Sequence, residues 1–384
     1  MLHFGRDEYE ARRDRLIVEM GEQKLDAMIL FAQDSMYWLT GYDTFGFCFF
    51  QCLVVKADGD MRLLSRSADL RQARHTSIIE NITVWRDRNQ AEPVIELRDM
   101  LDEMGLLGAR IGVEWATHGL TAANGRSVEE RLGSFGTLKD ASSLIPLLRA
   151  VKSPAEIEMV REAARLADAA YEAALPLIRP GADEAEILAT MQGTVLAEGG
   201  DYPANPFIIG SGRDALLCRY KSGRRKLGAN DQLTLEWAGV KAQYHAALMR
   251  TVIIGTPTER HLELHAAARE ALDAVEAVMQ PGRTFGEVFD AHASVMEAHE
   301  LARHRLSACG YSLGARYAPS WMDMPMFYAG NTEAIVPGMT LFAHMIIMDS
   351  DTETAMTLGR TYLTTSGAPE PLSRLPLELA VIGS

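Results

Sequence analysis

"AARLADAAYEAALPLIRPGADEAEI" occupies 163–187, and "AAREALDAVEAVMQPGRTFGEV" occupies 267–288. Each copy reads as a helix, a Pro-Gly stop (Pro180–Gly181, Pro281–Gly282) and a new helix carrying Glu186 or Glu287. Strand-like sequence follows each copy. After the first come Ile208–Ile209 and a hairpin over 233–254. After the second come "CGYSLGARYAPSWMD" and strands over 339–348 and 355–364. A weak internal repeat of this kind predicts a pseudo-symmetric α+β domain, with helices on one side of a curved antiparallel sheet. Side chains from both halves then converge on the concave face, the usual place for a site.

The domain's beginning is marked by "VKSPAEIEMV". Ser153 is an N-cap, Pro154 the first helical residue and Glu156 the third, a capping box that opens a long helix. The expected division is therefore 1–150 and 151–384. The first part alternates helix and strand. Arg6–Lys24 is an amphipathic helix, "DAMILFA" a buried strand, and "CFFQCLVVKADGDMRLLS" two strands around Ala57–Asp60. "NITVWRD" and "RIGVEWA" add further strands, giving an α/β unit with a partly parallel sheet.

The totals bound the function. A chain of 384 residues is comfortable for two domains. A formal charge of −14 argues against nucleic acid or an anionic membrane surface as partner. Apolar stretches such as "TLFAHMIIM" are too short to span a bilayer. The charged opening "MLHFGRDEYEARRDRL" lacks a signal-peptide pattern. Cys48, Cys52, Cys218 and Cys309 form no CxxC pair, which points to free thiols and a cytoplasmic protein.

With these elements in place, the chain resembles the creatinase/methionine aminopeptidase/prolidase superfamily, the pita-bread fold, and within it the ectoine hydrolase branch. The resemblance is carried in order by "WLTGYD" (38–43), Gln51–Cys52, "KSPAEIE" (152–158), "GGDYPA" (199–204), "EWAGV…YHA…RT" from Glu236, "CGYSLG" (309–314) and "PGMT" (337–340). Most of the superfamily holds two divalent metals through two aspartates, a histidine and two glutamates. The resemblance places those positions on Glu236, Ala247, Tyr311, His344 and near Gly359. A two-metal site needs several anionic oxygens, so the resemblance with these departures implies no metal and no other cofactor. Proton transfer then falls to side chains.

Glu236, on an apolar strand, is a candidate base or nucleophile, the alternative being an internal ion pair with Arg250. His245 lies two residues before Ala247 and so projects to the same strand face, as a proton carrier or a structural histidine. Tyr244 is expected on the opposite face. Tyr311 is a hydrogen-bond donor and His344 a second proton carrier, or both are core residues. Arg219, where the resembling enzymes have a catalytic histidine, is suited to binding a substrate carboxylate. Its neighbour Cys218 is more readily a buried thiol than a nucleophile. Trp237 is expected to stack on a planar cation. Gly310 and Gly314 are expected to permit close backbone approach. Asp201, Tyr202, Tyr42 and Asp43 lie on loops that, in relatives, reach the site or a neighbouring subunit's cleft, which implies a homodimer. The pair His261 and His265 has helical metal spacing but lies in a charged run, and the "GSG" at 210–212 opens no dinucleotide fingerprint.

The expected function is metal-independent hydrolysis of a C–N bond in a small zwitterionic nitrogen compound. An ectoine-type cyclic amidine is favoured and a creatine-like amidino compound comes second. The alternatives are an Xaa-Pro peptidase-like metalloenzyme and a non-catalytic binding member of the fold.

Overall fold

The computed structural model describes residues 1–219 and 224–383; residues 220–223 of the "LLCRYKSGRR" segment lie outside the described residues. The chain divides into two compact units, Met1–Arg149 and Ala150–Ser384, one residue from the expected boundary.

In the first unit the strands are β1 (Ala27–Leu30), β2 (Cys52–Lys56), β3 (Met61–Arg66), β4 (Asn81–Trp85), β5 (Arg110–Val113) and β6 (Thr137–Asp140). The helices are α1 (Arg6–Glu22), α2 (Gln33–Thr40), α3 (Leu70–Thr76), α4 (Pro93–Glu103), α5 (Ala122–Leu132) and α6 (Leu144–Ala150). The sheet order is β4-β3-β2-β1-β5-β6. β1–β5, β5–β6 and β3–β4 pair in parallel, and the other neighbours are antiparallel. The buried run of β1 explains the layering. Ala27 and Ile29 join a core with Leu97, Met100 and Val128 of α4 and α5, while Met28 and Leu30 join another with Leu16 and Met20 of α1. Successive side chains on a strand point to opposite faces, so one apolar strand needs a helical layer on each side.

The second unit begins with α7 (Pro154–Ala174). Its capping box is present as expected: Ser153 Oγ accepts from the Glu156 N–H, and Glu156 accepts from the Ser153 N–H. Helices α8 (Glu184–Ala197), α9 (Glu259–Val278) and α10 (Phe285–Ala298) complete two helix pairs. The strands are β7 (Ile208–Ser211), β8 (Asp231–Lys241), β9 (Tyr244–Ile254), β10 (Ala308–Ser312), β11 (Asp323–Tyr328), β12 (Thr340–Asp349), β13 (Thr354–Leu363), β14 (Glu370–Pro371) and β15 (Ala380–Ile382). They form one nine-stranded sheet of order β11-β10-β12-β13-β9-β8-β7, with β14 on β13 and β15 on β9. α7 packs on β8 and β9, and α9 on β12 and β13, so each copy of the repeat supplies helices to its own half of the sheet. This is the α+β architecture expected from the repeat. Among the described residues, no helix is long and apolar enough to cross a membrane, and all four cysteines are free.

Close backbone approaches and one tight turn shape this unit. The buried alanines of α7 let β8 approach so closely that a Cβ on Gly239 would overlap the Ala163 carbonyl oxygen. The β8–β9 hairpin turns through Ala242 (φ 48°) and Gln243 (φ 65°), both in the left-handed region that suits a two-residue hairpin turn but disfavours side chains. Asp201 Oδ2 accepts the Gln243 N–H at 3.3 Å, so this carboxylate braces the turn and does not lie beside Glu236 as a substrate ligand. Gly310 is required for close approach, because a Cβ there would strike the Phe342 carbonyl oxygen. Gly314 is not, since its Cβ would meet only ordinary contacts at 3.6 Å or more.

Substituting Gly239→Ala is expected to lower unfolding free energy by about 3 kcal/mol or more, because the clash is with backbone that has no rotamer to yield. Urea unfolding midpoints of the two proteins measure this.

Candidate active site

The sheet register assembles the site. His344 pairs with Gly359, Gly359 with Met249, Met249 with Glu236, and Glu236 with Ile208. These residues form one row across β12, β13, β9, β8 and β7, and cross-strand partners share a face. Phe342, two residues before His344, pairs with Tyr311 of β10. Ala247 lies two residues before Met249. The five positions drawn from separate motifs thus fall on one patch of one face, away from α7 and α9.

Glu236 is the centre of that patch. It is 8% exposed, and the only hydrogen bond to its carboxylate among the described residues is from the Tyr311 hydroxyl to Oε1 at 3.4 Å. Burial raises its pKa to about 7, against the opposing influence of the Arg219 charge and the Tyr311 hydrogen bond. The ion pair with Arg250 does not form. Arg250 belongs to the other face, where its Nη1 donates to the Met249 and Gly359 carbonyls and its Nη2 to that of Pro376. Arg219 is exposed, with Nη2 3.8 Å from Met322 Sδ, and its charge reaches Glu236, Tyr311 and His344. Cys218 is half-buried, and burial, followed by the Glu236 charge, raises its thiol pKa. A protonated thiol is a wall, not a nucleophile.

Tyr311 holds its proton firmly. Burial, followed by the charge of Glu236, pushes the phenol well above its ordinary value. The hydroxyl accepts the Trp321 indole N–H at 2.9 Å. His344 stands over the same patch, 5.5 Å from the Tyr311 ring and 5.4 Å from Phe342. Its Nδ1 is buried without a hydrogen-bond partner among the described residues. Burial and then the neighbouring His292 lower its pKa to about 3, so at neutral pH it is an uncharged hydrogen-bonding group rather than the expected proton carrier.

Two residues here were missed in the sequence. Trp321 follows a loop with no periodic signal. His292 lies on the buried face of α10 at 1% exposure, with both ring nitrogens lacking a hydrogen-bond partner among the described residues. A histidine among Val288, Phe289 and Met296 was the available clue.

Several expected contributors take other roles. His245 is on the correct face, but its Nε2 accepts the Ala204 N–H at 3.0 Å and its Nδ1 lies 3.4 Å from the Gly314 carbonyl. Both nitrogens bind backbone, and burial lowers its pKa to about 4. The proton-carrier role is therefore replaced by that of a strut. Trp237 faces α7, stacked at 5.3 Å on Tyr171 with its N–H on the Ala167 carbonyl, so it cannot stack on a ligand at Glu236. Tyr244 faces α7 as expected and donates to Glu156 at 2.6 Å. Tyr202 is exposed and lines a shallow crevice with Gln192, Leu196 and Phe207, apart from Glu236. In the first unit, Tyr42 is buried with its hydroxyl on Gln51 and Ser65, so it packs the core instead of contacting substrate. The Asp43 N–H donates to the Thr76 hydroxyl oxygen, and the Asp43 carbonyl accepts from the Gln72 amide. His261 completes the α9 capping box, and His265 contacts the Leu377 carbonyl, so the two do not act as a metal pair.

The donor set does not fit a two-metal centre. Ala247 and Gly359 offer no ligand atom, and Tyr311 keeps its proton, which leaves one carboxylate and one imidazole. The space a longer side chain at 359 would need is taken: a Cβ there would lie 2.8 Å from the Phe342 ring and 3.0 Å from the Met249 Cβ. Among the described residues, the one close grouping of three possible metal-ligating side chains is His304, Asp349 and Asp351. Its carboxylates are already paired with Arg260 (2.7 Å) and Arg303 (2.6 Å).

The profile of metallopeptidase family M24 matches residues 158–366, and that of the creatinase/prolidase N-terminal domain matches 12–151. The chain belongs to family M24. It is a hydrolase of the creatinase/prolidase type. It is 27% identical to ectoine hydrolase of Halomonas elongata, over 99% of this chain and 98% of that one. It is 25% identical to creatinase of a Bacillus species, over 90% of this chain and 84% of that one. Its fold superposes on the prolidase of Thermococcus sibiricus with a TM-score of 0.88, covering 98% and 100% of the two chains at 17% identity.

The buried acid has a thermodynamic signature. Its folded pKa, about 7, lies above the ordinary glutamate value of 4.5. Below the ordinary value both states are protonated and there is no penalty. As pH rises through 7, the unfolded chain ionises first and stability falls. Glu236→Gln is therefore expected to stabilise the protein at pH 8 by on the order of 3 kcal/mol and to leave it nearly unchanged at pH 4. Chemical denaturation at the two pH values provides the comparison.

Proposed function

We propose that this protein hydrolyses a carbon–nitrogen bond in a small zwitterionic nitrogen compound without a metal ion. Ring opening of an ectoine-type cyclic amidine is the favoured reaction, with cleavage of a creatine-like amidino compound next. The supporting observation is Glu236, a buried carboxylate with a pKa near 7 and no cation in contact among the described residues, on the patch where the family's metal-ligand positions converge. Its full-length similarity to ectoine hydrolase supports the same reading.

In this reading Arg219 receives the substrate carboxylate, as its planar fork is suited to do. The amidinium carbon lies over the Tyr311, Phe342 and His344 rings, next to Glu236. Ionised Glu236 takes a proton from water while the water oxygen bonds to the amidine carbon. It then returns that proton to the departing nitrogen as the C–N bond breaks, leaving an amide and an amine. Neutral His344 can hydrogen-bond the substrate nitrogen. A general base matched to the working pH contributes about 10²–10⁴-fold, and the pKa of Glu236 lies in that range.

The direct test offers cyclic amidines, guanidino acids and prolyl dipeptides to protein pretreated with a chelator. Turnover of an amidine or guanidino acid is expected to be unchanged by chelation and to rise with pH through about 7 as Glu236 ionises. Glu236→Gln is expected to lower kcat/KM by about 10²–10⁴-fold. Cleavage confined to dipeptides and dependent on added manganese or cobalt would overturn the proposal. Arg219→Met is expected to raise KM for carboxylate-bearing substrates by about tenfold or more, with a smaller effect on kcat, because a charge-assisted hydrogen bond contributes about 1.5–3 kcal/mol.

A further inference from the structure

The indole of Trp321 donates to the Tyr311 oxygen at 2.9 Å, and the Tyr311 oxygen lies 3.4 Å from Glu236 Oε1. An indole N–H can only donate, so the phenolic oxygen must accept from it. The phenol has one proton left to place, and the only acceptor it meets among the described residues is Oε1 of Glu236. Trp321 is itself fixed. It is 1% exposed, and its backbone N–H donates to Asn205 Oδ1 at 3.1 Å. Its ring lies 6.2 Å from that of His245, which is held by the backbone of Ala204 and Gly314.

We infer that Trp321 is a positioning residue that makes Tyr311 a one-way hydrogen-bond donor to Glu236 Oε1, so that Oε2 is left as the oxygen that exchanges protons with water and substrate. This rests on the proposed role of Glu236 and extends it: Trp321, outside the family's ligand positions, acts through Tyr311, at one of them, to decide which carboxylate oxygen reacts. The 3.4 Å contact is long for an O–H···O bond. Catalytic hydrogen bonds in unliganded proteins commonly tighten in the reacting complex, and ionisation of Glu236 is the event that strengthens this one. Without the indole N–H the phenol is free to rotate, and Oε1 and Oε2 become competing sites.

The test reads Glu236 without any substrate. The infrared carbonyl band of protonated Glu236, assigned by its disappearance in Glu236→Gln, is titrated in the native protein, Trp321→Phe and Tyr311→Phe. Both variants keep an aromatic ring in place. Both are expected to raise the apparent pKa of Glu236 by about half a unit or more, because a donor to the charged form is lost or misdirected. The double variant is expected to shift it no further than Tyr311→Phe alone. With a turned-over substrate, Trp321→Phe is expected to lower kcat by about tenfold while KM stays within about twofold, with the ascending pH limb displaced in parallel. A shift in Tyr311→Phe with none in Trp321→Phe would overturn the inference and leave the role of Glu236 standing. So would a double variant displaced well beyond Tyr311→Phe. An unchanged rate in Glu236→Gln would instead remove the catalytic reading, whatever the titrations show.

Discussion

A carboxylate taken out of water with no opposite charge in contact among the described residues is costly, and this one is carried on β8, one strand in from the β7 edge of the main sheet. The protein spends stability on keeping Glu236 where it is. Backbone bonds of β7 and β9 hold the strand on both sides, and the aromatic patch beside it excludes solvent. A phenol and an exposed guanidinium offset part of the desolvation, leaving an acid that is neither firmly charged nor firmly neutral at physiological pH. An internal ion pair would have been the quieter solution. Arg250, one residue along β9 from Glu236's partner, is turned to the helical side and its fork is filled by carbonyls.

The repeat explains why the two chemical halves meet. β8 and β9 belong to the first copy, β12 and β13 to the second, and the β9–β13 pairing joins them. That junction puts Met249 opposite Gly359 and so aligns Glu236 with His344. The helices contribute indirectly. Alanines on α7 and α9 let the sheet lie close, which commits Trp237, Leu341 and Ala343 to the helical side and, by alternation, Glu236, Phe342 and His344 to the other.

Much of this was legible in the residues. The capping box at Ser153, the twin Pro-Gly stops and the 233–254 hairpin are local signals, and they gave the boundary, the helix pairs and the strands. Facing arguments worked for Tyr244 and put His245 on the correct side. They failed at the next step, because facing a site is not the same as being free within it. The bonds from Ala204 and Gly314 that occupy His245 come from chain segments 41 and 69 residues away. Trp237 failed for the simplest reason: an odd neighbour of a site residue on a strand lies on the opposite face. Trp321 and His292 were not visible because each depends on a tertiary neighbour, Tyr311 for one and His344 for the other, with no spacing that links them.

The seating of Phe342 over Gly359 acts as a latch on the chemistry. Rebuilding a metal-binding carboxylate at 359 would drive it into the phenyl ring, while shrinking the ring first would leave a void with nothing to fill it. Either single step lowers packing quality before any cation can compensate. A designer, or natural variation, moving this scaffold toward cation-assisted hydrolysis must therefore change at least those two positions together, along with Ala247, and the face as it stands resists that path.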